Sequence, residues 1–360
     1  MSKSPPTLVS LGWSQTWSQA FEPWHAAGHA PGRISSDHQH IYRVFTELGE
    51  LVAAVSGRLR HEAQAAANFP VVGDWVALSP RPGERRATIH GVLPRSSRFS
   101  RKVAGEQAEE QVVAANVDTV LLVAGLDANF NPRRIERALL LARDSGARPV
   151  VILSKADLCD RLDERLRQTQ SIAGGVPVHA LSPKRREGIQ ALAPYLLPGQ
   201  TLALLGSSGV GKSTLINALL GEERQRTREV RLADSRGRHT TTHRELIPLP
   251  GGALVIDTPG MREMQLWTEA DGMAGTFGDI DALAADCGFR DCRHQVEPRC
   301  AVRAAVADGR LAAERLSSYH KLEAELRALE WRRDQLAQQA EKRKWKSIEK
   351  SVRRLKPSRR

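Results

Sequence analysis

The sequence predicts a multidomain chain. It reads as an OB-fold β-barrel, then a central α/β domain with a phosphate-binding loop, then a mostly helical C-terminal domain that carries a metal site. Three observations predict this. Short alternating runs broken by Gly, Pro and Asn fill residues 33–112, strand and helix patterns alternate over 113–276, and three of the four cysteines fall between Cys287 and Cys300. A length of 360 residues suffices for two or three domains. No apolar stretch approaches the roughly 20 residues of a membrane span. The opening Met1–Thr7 lacks the charged-then-apolar layout of a secretory signal. A cytoplasmic, monomeric protein is expected.

Residues 1–32 hold Trp13, Trp17 and Trp24 among Gly, Pro and His without firm periodicity, and are read as a partly ordered arm with room for one short helix. From Arg33, the runs Ile41 to Phe45, Leu51 to Val55 and Trp75 to Leu78 read as strands separated by turn-forming residues. Closely spaced short strands of this kind suit an OB-fold, a barrel that often binds RNA. From Val113, strands are expected at Thr119 to Ala124, Pro149 to Leu153, Val176 to Leu181 and Thr201 to Leu205, with a helix at Pro132 to Asp144. That order predicts a mostly parallel sheet. Residues 277–307 read as short irregular segments around the cysteines. Helical spacing of Leu316, Tyr319, Leu322, Leu326 and Leu329 then continues to about 343. A basic tail, 344–360, closes the chain.

Charge is concentrated at that end. Glu341 to Arg360 holds ten basic and two acidic residues, which is +8 of the chain's +12. A block of like charge is a solvated interaction tail, and the partner such a tail fits is nucleic-acid phosphate.

The strand Thr201 to Leu205 runs into Gly206-Ser207-Ser208-Gly209-Val210-Gly211-Lys212-Ser213-Thr214, and a helical pattern follows. This is G-x-x-x-x-G-K-S in the strand-to-helix context the motif requires. Glycines let the backbone close around phosphates, and successive N–H groups and a helix N-terminus face the anion. Lys212 is expected to reach the β- and γ-phosphates, and Ser213 to bind Mg²⁺. Leu254 to Gly260 ends in Asp257-Thr258-Pro259-Gly260, where Asp257 suits Mg²⁺ and the Gly260 N–H suits the γ-phosphate. Ser154-Lys155-Ala156-Asp157 matches a guanine-reading segment. The Asp157 carboxylate would accept two hydrogen bonds from guanine N1 and N2, a pair adenine lacks, and the Lys155 stem would lie along the base. Gly237 to Thr242 lies where a switch loop offers a threonine, here Thr241, to Mg²⁺. The order is unusual, because the guanine segment precedes the phosphate loop. The chain is circularly permuted, which also brings the switch segments close in sequence to the cysteine-bearing domain.

Cys287-x4-Cys292-x-His294-x5-Cys300 supplies three thiolates and an imidazole. Such a set suits tetrahedral Zn²⁺ in a closed structural site.

With these residues in hand, the sequence resembles the ribosome small-subunit-dependent GTPase A family, the RsgA/YjeQ type. The resemblance rests on Val72-Gly73-Asp74-Trp75-Val76, the permuted motif order, the zinc ligands and Glu297-Pro298. It implies a GTPase that docks on the small ribosomal subunit and its rRNA, acts in late maturation, and hydrolyses GTP under stimulation by that subunit. Three departures stand out. Ser154 replaces an Asn that braces the phosphate loop and base, so slightly weaker nucleotide binding is expected. Ser182-Pro183-Lys184 aligns with the segment that closes over the base, but Pro183 has no N–H, so the Lys184 N–H takes over or the contact is lost. Met261 stands where a water-orienting Gln often sits, so intrinsic hydrolysis should be slow. His239 is then the expected catalytic partner, ahead of His243. Gly209 stands where some relatives place a K⁺-recruiting Asn, so no K⁺ dependence is expected. The competing readings are a small-molecule P-loop kinase and an RNA-binding scaffold with little catalysis.

Overall fold

A computed structural model describes residues 6–38, 40–63, 66–102, 110–128, 130–221, 244–257, 273, 276–328, 331 and 335. The chain divides into two compact units, Met1–Arg101 with Glu110–Ala282, and Lys102–Glu109 with Leu283–Arg360.

The first unit opens with helix α1, Gln15–Ala26, and continues into strands β1 (Ala30–His38), β2 (Ile41–Thr46) and β3 (Gly49–Val55). A short helix α2, Gly57–Glu62, precedes β4 (Trp75–Arg81) and β5 (Arg86–Val92). The strand order β1-β2-β3-β5-β4, with β4 pairing back to β1, closes a five-stranded barrel of the expected OB type. Alternation drives β2, β3 and β5, where Tyr42, Val44, Leu51, Ala53, Ala87 and Ile89 point inward and their neighbours are mostly exposed or half-buried, while Ile34, Val76 and Leu78 join them from β1 and β4, which are buried on both faces there.

The N-terminal residues are more ordered than their sequence suggests. Helix α1 spans twelve residues and contains Pro23. Its aromatic residues, Trp17, Phe21 and Trp24, recur at steps of four and three. Trp13 meets Trp75 edge-on at 4.7 Å, Trp17 lies 6.3 Å from the same ring, and Trp24 covers Gly91, where an added Cβ would strike its ring. Strand β1 then starts at Ala30, inside the stretch read as an arm.

Strands β6 (Arg98–Lys102) and β7 (Glu110–Ala115) form a two-stranded sheet and lead to the α/β part. There, β8 (Thr119–Gly125), β9 (Arg148–Ser154), β10 (Val178–Ala180), β11 (Thr201–Leu205) and β13 (Leu254–Asp257) run parallel in the order β10-β9-β8-β11-β13. Strand β12 (Arg244–Pro248) is antiparallel to β13 and pairs on its other side with β1, through Ser36 with Glu245 and Asp37 with Arg244. One eleven-stranded sheet thus runs from the α/β part into the barrel wall.

The joint between them is built on Arg33. Arg33 is 2% exposed, and burial lowers its pKa to about 10, so it remains charged at neutral pH. It donates to the carbonyls of Leu11, Gly73 (3.3 Å) and Asn116 (3.0 Å) and to Thr201 Oγ1 (2.8 Å), and it lies 5.3 Å from the Trp75 ring. Gly73 has φ 91°, and a Cβ there would sit 2.2 Å from the Ala115 carbonyl, so only glycine lets the chain pass. Buried Asp74 takes a two-point ion pair from Arg95 (2.8 and 2.7 Å) and the Val71 N–H.

Two short helices, Gly278–Ala284 and Ala301–Ala307, form where irregular backbone was expected; the second, in the second unit, follows Cys300 directly, and a helix over 313–328 lies where helical spacing predicts one. Leu322 and Leu326 of the last helix are buried, as their spacing predicts.

Replacing Arg33 by Met should cost about 3–5 kcal/mol, because it removes the donor from the buried Leu11 and Asn116 carbonyls and the Thr201 hydroxyl, while the Gly73 carbonyl keeps Asn116 Nδ2. Urea unfolding is the check. Arg33→Lys should recover only part of the loss, since an ammonium lacks the flat fork that reaches all four acceptors.

Candidate nucleotide site and metal centre

In an open parallel sheet, ligands gather beyond the carboxyl ends of the strands. Here five such ends lie side by side and carry Asp127, 154–157, 182–187, 206–213 and Asp257. The loop after β11 needs glycine at its first position, where Gly206 has φ 155° and a Cβ would meet the Val123 carbonyl at 2.2 Å. The helix Lys212–Leu220 starts at the motif lysine, so its first N–H groups open onto the loop. Val210 is buried, whereas Ser208 and Gly209 are exposed. The Lys212 ammonium turns back onto the carbonyls of Gly206 (2.6 Å) and Ser207 (2.7 Å), inside the loop it is expected to complete around phosphates.

Ser154 is fully buried at the end of β9, and its hydroxyl donates to the Val210 carbonyl, with the Ala124 carbonyl at 3.3 Å. The shorter side chain therefore still reaches the phosphate loop. It does so because the loop comes close: a Cβ on Gly211 would lie 3.7 Å from the Ser154 hydroxyl.

Lys155 adopts a left-handed conformation (φ 60°), and its ammonium pairs with Asp127 at 2.6 Å. Asp127 follows the end of β8 and was not anticipated as part of the site. Asp157 has a side chain only 9% exposed, and the Arg185 guanidinium stands 3.6 Å from it. The carboxylate expected to read guanine is thus paired within the chain itself. Arg185 belongs to a turn that Ser182 organises: Ser182 and Glu187 exchange backbone hydrogen bonds, and the Ser182 carbonyl and hydroxyl both accept from the Arg185 N–H. The turn employs the N–H groups of Ser182, Arg185, Arg186 and Glu187. Among the described residues the Lys184 N–H has no internal acceptor, which keeps it available as the substitute for Pro183. Ser213 and Thr214 fall in the first turn of the helix Lys212–Leu220, and Asp257 ends the strand beside β11. His239, Thr241, His243, Gly260 and Met261 lie outside the described residues.

In the second unit, the donor atoms of Cys287, Cys292, His294 and Cys300 all lie within 4.8 Å of one another. Tetrahedral Zn²⁺, with bonds of roughly 2.3 Å to sulfur and 2.0 Å to nitrogen, sets donor edges of about 3.8 Å (S–S) and about 3.5 Å (S–N). Cys287 Sγ lies 3.9 Å from Cys300 Sγ, and His294 Nδ1 lies 3.6 Å and 3.4 Å from these two sulfurs. The cluster fits such an ion and can hold a metal. His294 is buried, with φ 58°, and the backbone on both sides of it is held by Glu297. That carboxylate accepts from the N–H groups of Arg293 (3.0 Å), Gln295 (2.8 Å) and Val296 (3.0 Å). Its own backbone N–H and those of Gln295 and Arg293 hold its pKa down at about 2.

Comparison with known proteins decides what this geometry belongs to. The family model described as RsgA GTPase matches residues 92–267. A curated relative from Opitutus terrae, "Small ribosomal subunit biogenesis GTPase RsgA", is 50% identical over 351 residues, covering 95% of this chain and 96% of its own. The chain belongs to the RsgA GTPase family. A relative of the same name from Syntrophotalea carbinolica is 43% identical, covering 95% of each chain. Among solved structures, YjeQ from Thermotoga maritima superposes with a TM-score of 0.62 at 29% identity, over 83% of this chain and 98% of its own. YloQ, a circularly permuted GTPase, gives a TM-score of 0.60 at 23% identity and confirms the fold. As an RsgA GTPase, the chain combines the barrel, the permuted nucleotide domain and the cysteine-bearing helical region.

Removing the Ser154 hydroxyl frees the Val210 carbonyl, so Ser154→Ala should weaken GTP and GDP binding by roughly 10-fold, read by titration with a fluorescent guanine nucleotide. Glu297→Ala should lower zinc affinity by about 10-fold or more while leaving nucleotide affinity unchanged. Competition with a chromogenic chelator measures it.

Proposed function

We propose that this protein hydrolyses GTP while docked on the small ribosomal subunit, acts in that subunit's biogenesis, and uses hydrolysis to time its release. The observation that carries the proposal is the meeting of guanine segment and phosphate loop: Ser154, one residue from Lys155 and three from Asp157, is bonded to the loop carbonyl of Val210. A GTP bound there would have its base and phosphates read by two segments that brace each other. The relatives' names supply the partner, the small ribosomal subunit.

In this reading the backbone N–H groups of Gly206 to Thr214 cradle the phosphates, and Lys212 leaves its own loop carbonyls to pair with the β- and γ-phosphates. Asp157 exchanges Arg185 for the guanine N1 and N2 hydrogens, the Lys155 stem lies along the base, and the turn led by Ser182 covers it. Gly260 senses the γ-phosphate. Ser213, Asp257 and Thr241 would hold the Mg²⁺ that accompanies the nucleotide and neutralises charge on the phosphates. His239 would orient the attacking water once the subunit is bound, in place of the absent Gln. Cys287, Cys292, His294 and Cys300 would hold a structural Zn²⁺. The division into a barrel (33–112), GTPase domain (113–276), zinc-binding domain (277–343) and basic tail (344–360) follows the same reading.

Phosphate release measured with and without purified small subunits is the test. GTP turnover should be slow alone and rise strongly with the subunit. Lys212→Ala should lower the stimulated rate by about 100-fold or more while subunit binding persists. A preference for ATP, or turnover that Lys212→Ala leaves intact, would overturn the proposal.

A further inference from the structure

Guanine has acceptors at O6 and N7, on the edge that adjoins N1, and this chain has lost ordinary donors for that edge. Pro183 has no N–H to offer O6. Ser154 is fully buried, and its one hydroxyl proton goes to the Val210 carbonyl rather than to a base. The turn that would cover the base has little else to give. The backbone N–H groups of Ser182, Arg185, Arg186 and Glu187 are all bonded within it. Only the Lys184 N–H is left, a single donor for two acceptors.

One side chain of the same turn reaches the place where the edge would lie. Arg185 Nε stands 3.6 Å from Asp157 Oδ2. The Arg185 side chain is mostly exposed and that of Asp157 nearly buried, so the guanidinium approaches the carboxylate from its open side. The root of the side chain is held: the Arg185 N–H donates to the Ser182 carbonyl (3.1 Å) and hydroxyl (3.3 Å). Its stem therefore starts from a fixed point, and the exposed fork can pivot.

We propose that Arg185 reads the O6 and N7 edge of guanine and completes the selection that Asp157 makes at N1 and N2; the proposal rests on the guanine-binding reading above. A guanidinium fork meets O6 and N7 together, which makes arginine the commonest side-chain reader of guanine. Pivoting toward that edge keeps the cation close to the Asp157 charge, because O6 adjoins N1. Adenine carries an amino group in place of O6. A guanidinium has no acceptor, so it meets that amino group donor to donor. The selection that Pro183 cannot make passes to a side chain two residues on.

The test is competition of GDP, 7-deaza-GDP, IDP and ADP against a fluorescent guanine nucleotide on the full chain. 7-Deaza-GDP lacks the N7 acceptor, and IDP lacks the N2 amine. Ratios taken within one variant cancel any effect of the substitution on the protein before nucleotide binds. Wild-type protein should prefer GDP over 7-deaza-GDP by about 10-fold, the worth of one hydrogen bond to a charged group. Arg185→Ala should bring that ratio to within about 2-fold and keep the preference for GDP over IDP, which Asp157→Ala should abolish. Arg185→Lys, with a point charge in place of a fork, should recover only part of the N7 preference. A ratio of GDP to 7-deaza-GDP that Arg185→Ala leaves unchanged overturns the proposal and leaves the edge to the Lys184 N–H. Joint loss of the N7 and N2 preferences in Arg185→Ala also overturns it, because Arg185 would then act only by positioning Asp157. Wild-type protein that prefers ADP over GDP overturns the guanine reading itself.

Discussion

A single guanidinium, withdrawn almost completely from water, holds the first unit together. Burying a charge is costly unless its donors are matched, and Arg33 meets that demand with acceptors from four places: the N-terminal segment, the barrel turn at Gly73, the linker at Asn116 and the foot of the phosphate-loop strand at Thr201. The Trp75 ring lies beside it, and Trp13 and Trp17 of the N-terminal segment close on that ring. The Val72–Val76 run, which served as a family signature, is thus chiefly a mechanical joint. Gly73 lets the backbones touch, Asp74 anchors Arg95, and Trp75 shields the charge.

What could be read from the sequence follows from how local the chemistry is. Phosphate and zinc impose short, contiguous patterns, so Gly206 to Thr214 and Cys287 to Cys300 were legible before any fold was known. The barrel and the parallel strands followed from alternation and apolar runs, with ends displaced by up to three residues, as at β4. Arg33 was invisible as a joint, because its partners lie 22, 40, 83 and 168 residues away. Helix α1 was underestimated because Pro23 interrupts it and only three of its residues are large and apolar at helical spacing. That signal was present at Trp17, Phe21 and Trp24. Asp127 and Arg185 could not be placed for a different reason: each satisfies a site residue from a separate strand end, which only the sheet order reveals.

Ser154 shows how a departure from a motif is to be weighed. The sequence says that the side chain is short. The structure adds that the loop it must reach is near, so one hydroxyl suffices to tie β9 to Val210. Arg185 works in the opposite sense, since it is paired with the carboxylate that a guanine would engage in the proposed reading. One feature makes the site firmer than the altered motif suggests, and the other adds a competitor for its most selective group.

The continuous sheet through β12 and β1, fastened by Arg33, sets the smallest portion of this protein that evolution or an engineer can exchange. A barrel transplanted as residues 33–112 would leave behind Leu11, Trp13 and Trp17, the Asn116 carbonyl and the Thr201 hydroxyl. It would arrive with a stranded cation and a bare tryptophan. An exchange that keeps the seam intact carries the N-terminal helix, the barrel and the phosphate-loop strand together.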